Sequence, residues 1–125
     1  MKGSRITLVL RILLGLIFLV FGLNIFLQFL PLPPVPGPAG ALLGAFVASG
    51  YIMKLVGVTQ VAGGALLLSG VLVPFALVIL APVIVNIMLF HLFLDPAGLP
   101  QGLVVTALEL ALAWQYRQAL APLFR

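Results

Sequence analysis

Four long apolar stretches, separated by short breaks rich in proline, glycine and serine, account for nearly all of this chain. The first runs from about 4 to 30 and stops at a proline-rich segment, Pro31 to Pro38. Repeated prolines remove backbone donors and hold the chain extended, so a helix cannot continue through them. The second covers about 50 to 68 and closes at Ser69-Gly70. The third, about 74 to 94, opens on Pro74, a favoured first-turn position. The fourth, about 97 to 120, follows Asp95 and Pro96, which read as an N-cap and a first-turn proline. Each stretch approaches the roughly 20 apolar residues that a membrane-crossing helix needs. The segment Ala39 to Ala48 is apolar but too short to cross, which predicts an interfacial or re-entrant helix. No strand-like alternation occurs. The pattern predicts an all-α membrane protein: one four-helix transmembrane bundle, with a short extra helix between helices 1 and 2.

Composition strengthens this reading. The 125 residues are 64% hydrophobic and 6% charged, with mean hydropathy +1.37. Soluble domains carry roughly 25% charged residues, so this chain could not cover a soluble fold with polar groups. The net charge of +4 would admit a nucleic-acid partner, but its placement argues against one. Lys2, Arg5 and Arg11 lie at the start, Arg117 and Arg125 at the end, and only Lys54 lies between. That is the positive-inside pattern and predicts cytoplasmic termini; Trp114 and Tyr116, just before Arg117, suit the membrane interface. Cysteine is absent, so disulfides, thiolate metal sites and redox dithiols are excluded. The first apolar run is longer than a signal-peptide core and lacks a small-residue cleavage site, so it is expected to be retained.

Small residues recur at helical spacing: Gly15 and Gly22; Gly50, Gly57 and Gly64; Gly98, Gly102 and Thr106. Such stripes let helices approach closely where no hydrophobic effect drives them together.

Six polar side chains fall inside or beside the apolar runs: Asn24, Lys54, Gln60, Asn86, His91 and Glu109. At a rise of about 1.5 Å per residue, Glu109 lies roughly 18 Å and Gln60 roughly 15 Å from the starts of their helices. The other four fall in the outer half. Together they predict one polar pocket running from the non-cytoplasmic face towards the midplane. Each residue also has a plainer reading. Gln60 and Asn86 could simply bond across helices, and Lys54 could snorkel to the interface. Asp95 stands four residues after His91 and could hold its ring at the helix end. Glu109 could sit as a neutral carboxyl bonded to Gln60 or a backbone carbonyl. Pro82 predicts a bend in the third span that frees the Val78 carbonyl one turn before Asn86. No nucleophile with a base, phosphate-cradling loop or metal-ligand spacing is present, so no independent catalytic activity, metal or intrinsic cofactor is expected.

The run from Val85 to Pro100, VNIMLFHLFLDPAGLP, resembles the DoxX and DoxX-like family of small bacterial membrane proteins. RILLGLIFLVFGLN (Arg11 to Asn24), SGYIMKLVGVTQVAGGALLL (Ser49 to Leu68) and ELALAWQYR (Glu109 to Arg117) are similar to it as well. The resemblance spans nearly the whole chain, and its most specific part is the motif with His91, Asp95 and Pro96. It implies four membrane helices with a short segment after the first, in the bacterial cytoplasmic membrane. Family members are associated by name with a subunit of a terminal quinol oxidase and with thiosulfate:quinone oxidoreduction, and distant relatives with receptor assembly.

Two functional expectations follow. The first is an accessory subunit of a quinone-linked redox system that binds a quinone-like or lipid-like molecule in the polar pocket and assists a membrane or periplasmic partner. The second is a non-catalytic assembly factor, or a small-solute transporter acting as a homo-oligomer.

Overall fold

The computed structural model describes residues 2–31 and 34–125, with side chains from Arg5 onward. Leu32 and Pro33 of the expected proline loop, and the Lys2 side chain, lie outside the described residues. All regular structure among the described residues is helical: α1 (Lys2–Leu27), α2 (Gly37–Ala48), α3 (Ile52–Ser69), α4 (Val73–Phe93), α5 (Leu99–Gln115) and the short α6 (Arg117–Leu120). Single 3-10 turns, Pro96–Gly98 and Ala121–Phe124, precede α5 and follow α6. Four of these helices are long and apolar enough to cross a membrane.

Helix ends follow local chemistry more closely than they follow the apolar runs. The first span was expected to reach about residue 30, but α1 stops at Leu27 because Gln28 takes a left-handed conformation (φ 50°). The Asn24 side chain holds that turn: its Oδ1 accepts the Leu30 N–H at 2.7 Å, and its Nδ2 donates to the Leu30 carbonyl at 3.4 Å. The second span was expected from Gly50, yet α3 begins at Ile52. Here the Ser49 hydroxyl accepts the Tyr51 and Ile52 N–H groups and gathers the intervening turn. Asp95 occupies the expected N-cap position, but its carboxylate caps nothing. It turns back towards His91, and α5 begins only at Leu99, after the 3-10 turn. The fourth helix was expected to continue to about residue 120; it breaks at Tyr116, whose backbone leaves the helical region.

The four long helices pack in a ring, α1 to α3 to α4 to α5 and back to α1. The most extensive interface joins α1 and α3, and glycines make it. A Cβ on Gly64 would stand 2.6 Å from the Leu19 nitrogen and 2.7 Å from the Gly15 carbonyl, and one on Gly22 would stand 2.9 Å from the Val61 nitrogen. These pairings rise along α1 as they fall along α3, so the two helices are antiparallel. Thr7 donates to Gln115 at 3.2 Å, which brings the end of α5 to the start of α1. Gly50, expected in the same stripe, lies outside α3 with open space beside it.

Leu14, Leu67, Leu77, Leu80 and Leu112 fill the core. Outward, the surface is apolar: Leu8, Phe75, Leu103 and Leu110 are exposed. Charge collects at the ends. Arg11 donates to the Leu67 carbonyl near the end of α3, and Arg117 donates to the Trp114 carbonyl near the end of α5. Cations there complement the negative pole of each helix. Lys54, His91 and Asp95 lie at the opposite end.

Candidate ligand-binding clefts

The predicted polar residues do not form one pocket. Five of the six distribute over three clefts that meet at Gln60, and Glu109 lines none of them. Gln60 lies on the buried stripe of α3 with Gly57, Gly63, Gly64 and Leu67. The small neighbours draw α1 and α4 close to α3, and the longer Gln60 side chain reaches the gaps where those helices diverge. It is 9% exposed, and no hydrogen bond to its carboxamide forms among the described residues. Its one acceptor and two donor hydrogens therefore face the clefts.

The first cleft, about 800 Å³, lies between the end of α1, α2 and the start of α3. Asn24 and Lys54 line it beside Phe21, Phe26 and Phe46. The Asn24 amide is occupied with the Leu30 backbone, so it shapes the wall more than it offers contacts. The second, about 440 Å³, lies among α1, α3, α4 and α5 and is lined by Gln60, His91 and Gln101 with Phe18, Phe21 and Val105. The third, about 480 Å³, opens between α3 and α4, where Asn86, His91, Thr59 and Pro82 join Gln60. Asn86 is exposed there. Thr59 donates to the Leu55 carbonyl of its own helix, which leaves Gln60, Asn86 and His91 as the unspent polar groups.

His91 joins the second and third clefts, and its orientation is set by its surroundings. Nδ1 lies 3.2 Å from the Asp95 carbonyl and 3.5 Å from Asp95 Oδ2. A carbonyl only accepts, so Nδ1 carries the proton, and in the neutral ring Nε2 is left as an acceptor. A Cβ on Gly98 would overlap the ring, and one on Gly102 would stand 3.3 Å from Cδ2. The glycine spacing read as a packing stripe is thus what admits the imidazole. Phe90 meets the ring edge-on at 5.3 Å.

Glu109 stands apart. It was expected beside Gln60 in the pocket, yet it lines none of the three clefts. It shares the buried stripe of α5 with Gly102, Val105 and Leu112, is 8% exposed, and its Oε1 has no hydrogen-bond partner among the described residues. Counting residues gives depth along an axis; it does not reveal that Val105 and Leu112 close the space around this carboxyl. Pro82 lies inside α4, which is helical on both sides of it, and no described side chain donates to the Val78 carbonyl. Gln101 is the cleft residue that sequence reasoning overlooked. Folding the α4–α5 hairpin about Asp95 brings residues near 101 opposite His91, and that count would have found it.

Among the described residues no group of three or more His, Cys, Asp or Glu side chains could hold a metal ion. What the second cleft offers is two amides and an imidazole acceptor within apolar and aromatic walls. A lining of this kind suits a mostly apolar molecule with a few polar atoms. No family model, curated protein or solved structure matches the chain.

Proposed function

We propose that this is a DoxX-like, multi-pass protein of the bacterial cytoplasmic membrane that holds a quinone-like or lipid-like molecule between Gln60 and His91 and serves a membrane redox partner as an accessory subunit. The observation that carries the ligand reading is Gln60: a buried carboxamide with no protein partner, facing clefts with otherwise apolar walls. The amide atoms are open to the clefts and unspent on the protein, so they are available to bond a molecule held there. The His91 acceptor across the second cleft suits a hydroxyl, and the Gln60 amide donors suit a carbonyl. A quinol fits both, one hydroxyl donating to His91 Nε2 and the other accepting from the Gln60 amide; its quinone keeps only the Gln60 contact.

Membrane insertion is supported by the outer surface. In an 18-residue stretch of each span only 22% to 28% of the residues are buried, and the large exposed side chains are mostly apolar. Large exposed apolar surfaces of this kind require hydrocarbon or a partner around them. Arg11 and Arg117 at one end of the bundle favour cytoplasmic termini. The 12 residues of α2 span about 18 Å, too short to cross, and with cytoplasmic termini α2 suits the non-cytoplasmic interface.

Wild-type protein and the variants Gln60→Leu and His91→Phe, purified in mild detergent, are to be compared by mass spectrometry of extracted small molecules. A quinone or lipid retained by wild type and reduced about tenfold in both variants is expected, about 1.4 kcal/mol for each lost bond. Equal retention in all three overturns the reading. A second reading rests on Asn86, an amide exposed on an apolar helix. Polar groups there favour helix partners, so a role in membrane-protein assembly, or transport by a homo-oligomer, would place Asn86 at a helix–helix contact. A stable protein partner lost on Asn86→Leu, with no bound small molecule, would favour it.

A further inference from the structure

We infer that the cleft beneath α2 is a separate site for an anionic phospholipid, with the headgroup phosphate at Lys54 and an acyl chain between the phenylalanines. Lys54 is the only cation between Arg11 and Arg117. The chain has two acidic side chains: Asp95 is turned to His91, and Glu109 lies on the buried stripe of α5. Lys54 forms no ion pair among the described residues. An ammonium with no ion pair among the described residues therefore stands at the largest of the three clefts, about 800 Å³, at the end of the bundle away from Arg11 and Arg117.

The cleft is a formed feature of the fold. Its α1 wall ends in the turn fixed by Gln28 and by the bonds of Asn24 to Leu30. Its other wall comes from α2, where Phe46 and Val47 line the cleft together with Phe21 and Phe26 of α1, and Ala39 is buried. Tyr51 stands at the rim beside Lys54. A lysine and a tyrosine at the mouth of an apolar slot match a lipid headgroup above and a chain below. A soluble anion would use Lys54 and leave the aromatic walls bare; the phospholipid uses both.

The site does not rest on the Gln60–His91 reading, because His91 does not line this cleft. The test uses the full chain reconstituted in phosphatidylcholine vesicles containing phosphatidylglycerol, then exchanged into mild detergent, with retained lipid read by mass spectrometry. Wild type, Lys54→Arg and His91→Phe are expected to retain phosphatidylglycerol in preference to phosphatidylcholine. Lys54→Gln is expected to lose that preference roughly fivefold, the effect of one basic residue near an anionic surface. Met53→Trp, which fills the cleft and leaves Lys54 in place, is expected to lose it too. The inference is overturned by unchanged retention in Lys54→Gln, by unchanged retention in Met53→Trp (a lipid held by the lysine alone), or by a free fatty acid as the retained anion. Loss of phosphatidylglycerol in His91→Phe overturns it as a separate site.

Discussion

Arg11 on α1 donates from Nη1 to the carbonyl of Leu67 on α3, 3.1 Å away. The next turn explains the room it has. Gly70 ends α3 in the left-handed conformation (φ 76°), and a Cβ there would overlap the guanidinium. One residue stops the helix and leaves space for another to satisfy its end, and the bond ties the two most closely packed helices together at that level. Replacing Arg11 by Met keeps the apolar stem and removes the bond to a charged donor. A loss of about 1.5–3 kcal/mol is expected. It can be measured by denaturant titration in micelles, read through the single tryptophan, Trp114. An unchanged midpoint would show that the bond adds nothing.

The glycines divide into two kinds, and alanine substitution separates them. At Gly64 the new methyl would meet backbone atoms of Leu19 and Gly15, which cannot rotate away. The helices must part, at a cost of about 1–3 kcal/mol. At Gly44, inside α2, nothing lies within 4 Å. Alanine there is expected to stabilise by about 0.5–1 kcal/mol, because it restricts the unfolded chain. Thermal midpoints that move in opposite directions for the two variants would bear this out; a tolerated Gly64→Ala would mean that α1 and α3 are less closely packed.

Hydropathy along the chain is enough to find the four long helices, because each needs about 20 apolar residues and is bounded by proline or glycine. The spacing of Gly15, Gly22, Gly57 and Gly64 marked surfaces where helices could approach, but not that the first and third helices meet there, and it included Gly50, which lies outside α3. Helix ends were harder, because Gln28, Ser49 and Asp95 act through side-chain bonds and dihedral angles that no apolar count contains. The polar set was harder still. Gln60 and His91 were visible as polar residues in apolar runs, but which gap each one faces depends on helix rotation and on the bulk of Phe21, Phe46 and Val105. That is why one expected pocket became three clefts and why Glu109 fell outside all of them.

Orientation can be read chemically because the chain has no cysteine. Single cysteines at Ala48, at the end of α2, and at Ala97, in the turn before α5, lie at exposed positions at one end of the bundle; Ala119 is exposed at the other. With cytoplasmic termini, an impermeant maleimide added to intact cells is expected to label Ala48→Cys and Ala97→Cys and to spare Ala119→Cys until the membrane is opened. The reverse pattern would invert the proposed topology. Labelling of none of the three before lysis would argue against insertion.

Glu109 makes the sharpest energetic case. Its carboxyl lies among core side chains with Oε1 unbonded, and an unsatisfied buried polar group costs about 1–3 kcal/mol. Leucine has a similar volume and no polar atom, so Glu109→Leu is expected to raise stability by about that amount in the micelle titration. Glu109→Gln keeps the shape and the polarity, and should stay close to wild type. Because Glu109 lines none of the clefts, neither variant should alter retention of a molecule held at Gln60 and His91. A destabilised Glu109→Leu would reveal that the carboxyl has a bonding partner after all. A stabilised Glu109→Leu that loses its ligand or protein partner would place the carboxyl in the function, retained against its cost to the fold.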